Sequence, residues 1–520
     1  MNKLTIAALS LFLACNSSQK TISPTKQTGI AETSAITYAE SIDETDLKRH
    51  LYIYASDEYE GRETGTPGQK KAVEYIREQY KKLGIPAAKP DGDYFQKVPL
   101  EVMKVPTGAI TLDGDEKIIG EDFLTFSSGN GIFDEVQYLG YGIEDENYSD
   151  FGGIDVSGKL VLVKSGEPKN EDGTFLISGS TEPSKWSDPN ESIEMRGKLL
   201  SEKGAKGMLY IDAVNYGRFN RYFQYMKNND GGQMSINDGE EDDFFEIYLS
   251  EAMALQIVPD IANNDTPYLV KKKLVIATET TNTEVDSENV AAILKGSEKP
   301  DEYVVISSHL DHIGINADGQ INNGADDDGS GTVALLEIAE AFKKAADAGN
   351  GPKRSIVFLH VTGEEKGLLG SQYYTDIDPI FPLSKTVANL NIDMIGRIDP
   401  ERKGDRNYIY LIGSDKLSTD LHLLSEEVNQ KFMNIELDYT YNDENDPNRF
   451  YYRSDHYNFA KNNIPIIFYF NGTHADYHRP GDTPDKINYD LLQNRSRLVF
   501  HTAWEVANRE ARIVVDKVSN

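Results

Sequence analysis

Apolar residues recur every three or four positions in two N-terminal stretches. Leu47, Leu51 and Tyr54 share a face in residues 44–55, and Val73, Ile76, Tyr80 and Leu83 do so in residues 70–83. That period predicts two amphipathic helices, the second closed by Gly84 as a C-cap. Residues 57–68, between them, form a turn-rich loop. From about residue 105 to residue 281 the pattern shortens to strands at 133–141, 159–164, 207–211 and 273–278, a small β-rich domain. Beyond Ser287 buried strands are predicted at 303–306, 355–361, 387–392 and 464–470. A helix over 332–346 carries Val333, Leu336, Ile338, Ala339 and Phe342. Strands alternating with helices predict an α/β fold, a mostly parallel-stranded sheet flanked by helices. The expected main domain comprises residues 41–105 and 284–520, with residues 106–283 inserted as the β-rich unit.

A chain of 520 residues exceeds one ordinary core, which agrees with two domains. Its formal net charge of −32 disfavours nucleic acid as a partner. The acidic run at 238–243 reads as solvated loop. The single cysteine, Cys15, excludes an intrachain disulfide. Residues 1–14 contain Lys3 and a short apolar run, too short to span a bilayer, and read as a signal peptide. Phe12-Leu13-Ala14-Cys15 resembles a bacterial lipobox, which makes Cys15 a lipidation site and residues 15–40 a flexible, lipid-anchored tether. The expected location is the cell envelope, membrane-anchored through the lipid and facing periplasm or exterior; ordinary secretion is the alternative.

The candidate chemistry lies just beyond the predicted strands. His309 follows strand 303–306, Glu364 and Glu365 follow 355–361, Asp393 follows 387–392, and His478 follows 464–470. Asp327 precedes the helix at 332–346. Parallel sheets bind ligands at the carboxyl ends of their strands, so these dispersed residues are expected to converge. Two histidines and three carboxylates suit a pair of zinc ions. His309 with Asp393 can hold one and His478 with Glu365 the other, Asp327 lying between them. Glu364 is then free to act as a base, and Asp311 to orient His309. His360 falls within an apolar strand and reads as core; His50, His422 and His501 sit on predicted helices and read as structural.

Five motifs together resemble those of the M28 family of dizinc aminopeptidases: His309-Leu310-Asp311, Gly324 to Gly331, Gly363 to Ser371, Asn391 to Gly396, and Tyr477-His478. The likeness extends to residues 55–68 and Ser454-Asp455-His456. It implies a zinc-peptidase fold with two zinc ions. It implies Asp327 as the bridging ligand, with a cis peptide bond to Asp328. It further implies Glu365 as ligand, Glu364 as general base and Tyr477 as donor to the tetrahedral oxyanion. Residues 453–456 match a segment near the substrate pocket. His312 and His474 are expected beside the ligands rather than among them. Residues 140–143, 155–163 and 203–207 resemble a protease-associated (PA) domain, which in relatives shapes access to the site.

The function these readings predict is a metal-dependent aminopeptidase removing N-terminal residues from peptide substrates. The alternatives are a carboxypeptidase or dipeptidase of the same fold, a single-zinc glutaminyl cyclase, and an inert receptor-like binding protein.

Overall fold

A computed structural model describes residues 35–517, apart from residues 190, 230–231, 238 and 240–243. The predicted signal peptide, Cys15 and most of the predicted tether lie outside the described residues, as does most of the acidic run. At its carboxyl end the expected tether gives way to structure. Residues 35–39 are helical, Ala35 and Ala39 are buried, and Tyr38 stacks on Trp504. Among the described residues no helix is long and apolar enough to cross a membrane.

The main sheet has nine strands. Its centre is parallel: Arg354–Val361, Lys299–His309, Thr386–Ile392 and Ile466–Phe470 lie side by side in that order. These strands are buried on both faces, which explains their unbroken apolar runs. The flanks are antiparallel. Thr283–Leu294 pairs with Arg354–Val361, and Tyr408–Ile412 with Ile466–Phe470. The sheet is thus mixed around a parallel core. Helices Gly331–Asp347 and Tyr489–Asn508 pack in the core on one side, where Phe342, Phe500 and Trp504 make ring contacts.

The chain leaves this sheet after Val102 and re-enters it at Thr283, and these two residues are paired across Phe95–Val102 and Thr283–Leu294. Between them lie a six-stranded and a four-stranded sheet. Three helices also form there, Glu191–Glu202, Tyr216–Asn229 and Glu251–Ile257, which the strand pattern did not predict. A short strand, Met234–Ile236, returns to the main sheet and pairs with Leu100–Val102, tying the two parts together.

The N-terminal segment is fastened by a buried arginine, and it sets a buried histidine against a buried glutamate. Arg62 is fully buried. Its guanidinium donates to the carbonyls of Tyr54 and Leu310, both at 3.3 Å, Asn323 at 2.7 Å and Gly324 at 2.9 Å. One side chain thereby joins the helix Glu44–Tyr54 to two loops that carry site residues. Glu337, on the helix Gly331–Asp347, lies with its Oε1 3.4 Å from His50 Nε2. Burial, with the nearby charges of Glu340 and Asp46, raises Glu337 to about 8, and burial and Arg49 lower His50 to about 4. Both groups are therefore neutral near pH 7.

The folded chain keeps a proton on Glu337 that the unfolded chain releases near the ordinary 4.5. The associated stability is complete below that value and is lost as pH rises through about 8. Glu337→Gln should therefore gain in Tm relative to the natural chain as pH rises from about 5 to about 8. A Tm difference that stays constant across that range contradicts the assignment.

Candidate metal centre

The sheet's parallel centre delivers the predicted residues to one edge. His309 ends its strand and is almost fully buried. Its Nδ1 lies 3.1 Å from the backbone carbonyl of Asp311, an acceptor that calls for a proton on that nitrogen. Nε2 is left facing the site, 3.2 Å from Asp327 Oδ1 and 3.5 Å from Asp393 Oδ1. The Asp311 carboxylate is farther from the imidazole, at 4.0 Å. It instead accepts from Thr64 Oγ1 at 2.8 Å and from the Glu364 backbone N–H at 3.2 Å. The orienting group beside His309 is thus the Asp311 main chain, while its side chain fixes the loop bearing Glu364.

Three adjacent acids, Asp326, Asp327 and Asp328, are all buried. The outer two are used on the backbone. Asp328 accepts from the N–H groups of His309, Gly331 and Met394 at 3.2, 3.0 and 3.0 Å. Asp326 accepts from Gly396 N at 2.6 Å and Asn471 Nδ2 at 3.1 Å. Only Asp327 turns into the space between the histidines. Its Oδ1 faces His309, and its Oδ2 lies 3.1 Å from His478 Nε2. The Asp327–Asp328 peptide bond is cis. Asp482 supports the same loop from behind, accepting from the N–H groups of Asp326 and Asp327 at 2.9 and 3.1 Å. Gly324 opens the loop with φ +55, and a Cβ there would meet the Asp327 carbonyl at 2.3 Å and the His312 ring at 2.6 Å. No side chain fits.

Glu365 faces the second histidine group. Its Oε2 is 3.1 Å from His478 Nε2 and its Oε1 is 2.8 Å from His312 Nδ1. His312 Nδ1 also lies 3.8 Å from Asp327 Oδ2, so this histidine stands nearer to the cluster than the motifs suggest. His474 is elsewhere, 3.2 Å from Asp326 Oδ2. Two groups offer ligand atoms within 4.8 Å of one another: His309, Glu364 and Asp393, and His312, Asp327 and Glu365.

The electrostatics are those of an acid surplus. Burial pushes Glu364 well above the usual carboxylate range, opposed by His309 and reinforced by Glu365, Asp393 and Asp455. Asp455, which is fully buried, is raised to about 7 by burial and the charges of Asp311 and Asp393. For Glu365 burial and Asp327 push upward, but hydrogen bonds to His312 and His478 prevail and hold it at about 2. His478 is lowered by burial yet raised to about 10 by Asp327 and Glu365. Asp327 Oδ2 and His312 Nε2 are buried without a hydrogen-bond partner. Carboxylate and imidazole donors aimed at one another, with orphaned buried atoms, fit divalent cations such as zinc.

A pocket of about 30 Å³ opens on this cluster. Asp327, Glu364, Asp393 and His478 line it, with Met394, Phe450, Phe468, Phe470, Thr473, Arg453 and Tyr477. Tyr477 stacks on His478, ring centroids 3.9 Å apart. The motif Ser454-Asp455-His456 lies beneath the wall. Ser454 accepts from Asn391 Nδ2 at 2.9 Å, and His456 stacks on Phe468 and is lowered to about 3 by burial. His360 bonds Tyr80 Oη at 2.8 Å within the core. Sequence reasoning missed Asp482, and it gave no role to Arg62 or Arg453, although residues 55–68 and 453–456 were both singled out.

Residues 289–503 match the profile described as Peptidase family M28. A probable leucine aminopeptidase 2 of Aspergillus oryzae is 25% identical over 490 residues, covering 88% of this chain and 81% of that protein. A probable glutamate carboxypeptidase of Arabidopsis thaliana is 36% identical over 106 residues, 20% of this chain. The match spans only 14% of that protein, and of a similar one from Zea mays. Among solved structures, an aminopeptidase from Aneurinibacillus sp. strain AM-1 is 18% identical, with 93% of this chain and 98% of that chain covered and a TM-score of 0.47. The segment that matches the Peptidase family M28 profile contains both histidine–carboxylate groups.

Proposed function

We propose that this chain is a zinc-dependent exopeptidase, an aminopeptidase that removes N-terminal residues from peptides. The observation that carries the reading is the position of Asp327, one oxygen toward His309 and the other toward His478. His309 with Asp393 would hold one ion and His478 with Glu365 the other, Asp327 being shared. When bound, zinc supplies a Lewis acid for the scissile carbonyl and a lowered pKa for water.

The protein's own groups supply the rest. Glu364 lines the pocket, and its carboxylate takes a proton from the attacking water and delivers it to the leaving amine. The Glu364 backbone N–H is held by Asp311, which fixes the base relative to His309. Tyr477 lines the same pocket, and its hydroxyl donates to the oxygen that becomes negative in the tetrahedral intermediate. Phe450, Phe468 and Phe470 form an apolar wall that excludes water.

The inserted residues 106–283 are, in this reading, a PA domain bordering the pocket. Cys15 as the lipid-anchored residue completes the reading, with the enzyme on the membrane surface of the envelope.

Glu364→Gln should lower peptide hydrolysis by about 100-fold or more while zinc content is retained. Retained activity contradicts the base assignment. A panel of free, N-blocked and C-blocked peptides separates the exopeptidase types: cleavage is expected only with a free N-terminus. Cleavage of N-blocked peptides with a free carboxyl end would replace the aminopeptidase reading with a carboxypeptidase.

A further inference from the structure

Three cations around the metal centre are matched to carboxylates. Lys366 pairs with Glu63 at 2.7 Å and Lys486 with Asp476 at 2.9 Å. Arg397 lies 3.0 Å from Asp476 and 3.6 Å from Asp482. Arg453 differs. It lines the pocket together with Glu364, Asp393, Tyr477 and His478. Its polar contact is a long one, Nη2 to Tyr477 Oη at 3.4 Å, and its guanidinium lies 4.9 Å from the Phe450 ring centroid. It makes no ion pair among the described residues, although the chain carries 85 acidic residues against 53 basic ones.

A guanidinium has five N–H donors in a planar fork suited to a carboxylate. Here the ring of Phe450 supports it from one side, and Tyr477 Oη engages a single donor, Nη2. Its exposure leaves it reachable by a ligand entering from solvent. The pocket is also small, about 30 Å³, so a substrate bound there brings its next polar group close to the rim. Arg453 stands on that rim.

We propose that Arg453 is a specificity residue that anchors a substrate carboxylate next to the scissile bond, so that the preferred substrates are short peptides bearing such a group. This rests on the exopeptidase reading above and refines its substrate class. Two sources share the chemistry: the terminal carboxylate of a dipeptide, and an acidic side chain at the residue flanking the cleaved bond. In either case the guanidinium binds the anion through paired N–H donors, and the Phe450 ring keeps the fork oriented.

The test is a matched substrate set on the zinc-loaded full chain and on Arg453→Met and Arg453→Lys. One arm compares leucyl-glycine with leucyl-glycinamide; the other compares leucyl-glutamate amide with leucyl-glutamine amide. The natural chain should favour the carboxylate member of at least one arm by about tenfold or more in kcat/KM. Arg453→Met should bring that ratio close to one, chiefly through KM, and Arg453→Lys should restore part of it. Which arm responds identifies the source of the carboxylate. No preference in the natural chain, or an equal fall for both members in Arg453→Met, overturns the proposal; an equal fall would assign Arg453 to Tyr477 instead. If no member is hydrolysed, the exopeptidase reading fails. Calorimetric titration with leucyl-glycine and its amide then still decides on Arg453: tighter binding of the carboxylate, lost in Arg453→Met, upholds it, and equal binding overturns it.

Discussion

Buried carboxylates at the ends of the parallel strands set the terms for the rest of this molecule. Asp311, Asp326, Asp327, Asp328 and Asp455 are all nearly or fully inaccessible. Charge without water is costly unless it is met by hydrogen bonds or opposite charge. The fold meets most of it with backbone. Asp328 gathers N–H groups from three segments, and Asp482 takes two from the loop that carries Asp327. These bonds hold the His309, Asp327 and Asp393 loops in register. Asp327 and Asp455 are the acids of this set that the backbone does not satisfy, and of the two Asp327 is the one placed between the histidines. It faces two imidazoles, His309 through Oδ1 and His478 through Oδ2, and in the proposed function it is the carboxylate that two cations would share.

The remaining architecture serves that arrangement. The four parallel strands aim four loops at one edge, and antiparallel strands broaden the sheet on both sides. Arg62 does for carbonyls what Asp328 does for N–H groups. It draws together Leu310, Asn323 and Gly324, which flank His309 and Asp327, and links them to the N-terminal helix. The segment before the insert is thereby part of the site's foundation, although it supplies no ligand. The insert leaves and returns through neighbouring paired positions and adds one edge strand, Met234–Ile236, to the sheet.

Much of this was legible from residue order. The strands at residues 354–361, 386–392 and 466–470 and the helix Gly331–Asp347 follow closely from apolar runs and helical spacing. The chemistry was legible because histidines and acids fell just past strand ends. Other features carried no local signal. The helix Glu191–Glu202 sets Arg196 and Gly197 on the same buried face as Ile193 and Leu200, which interrupts its apolar stripe; the helix Tyr216–Asn229 is the exception, since Phe219, Phe223 and Met226 do recur at helical spacing and the strand reading passed over them. The strand Met234–Ile236 is short and half-exposed, and only its partner defines it. Arg62 and Asp482 act through backbone groups remote in sequence, and such groups look alike in every residue. The choice among Asp326, Asp327 and Asp328 likewise depends on which carboxylates the backbone consumes.

The central claim is that Asp327 is shared by two metal positions. Calorimetric zinc titration of the metal-stripped natural chain and of Asp327→Asn tests it most directly. The account predicts about two ions per natural chain and weakened binding at both positions in the variant. A variant that still takes up two zinc ions with unchanged affinity would contradict it.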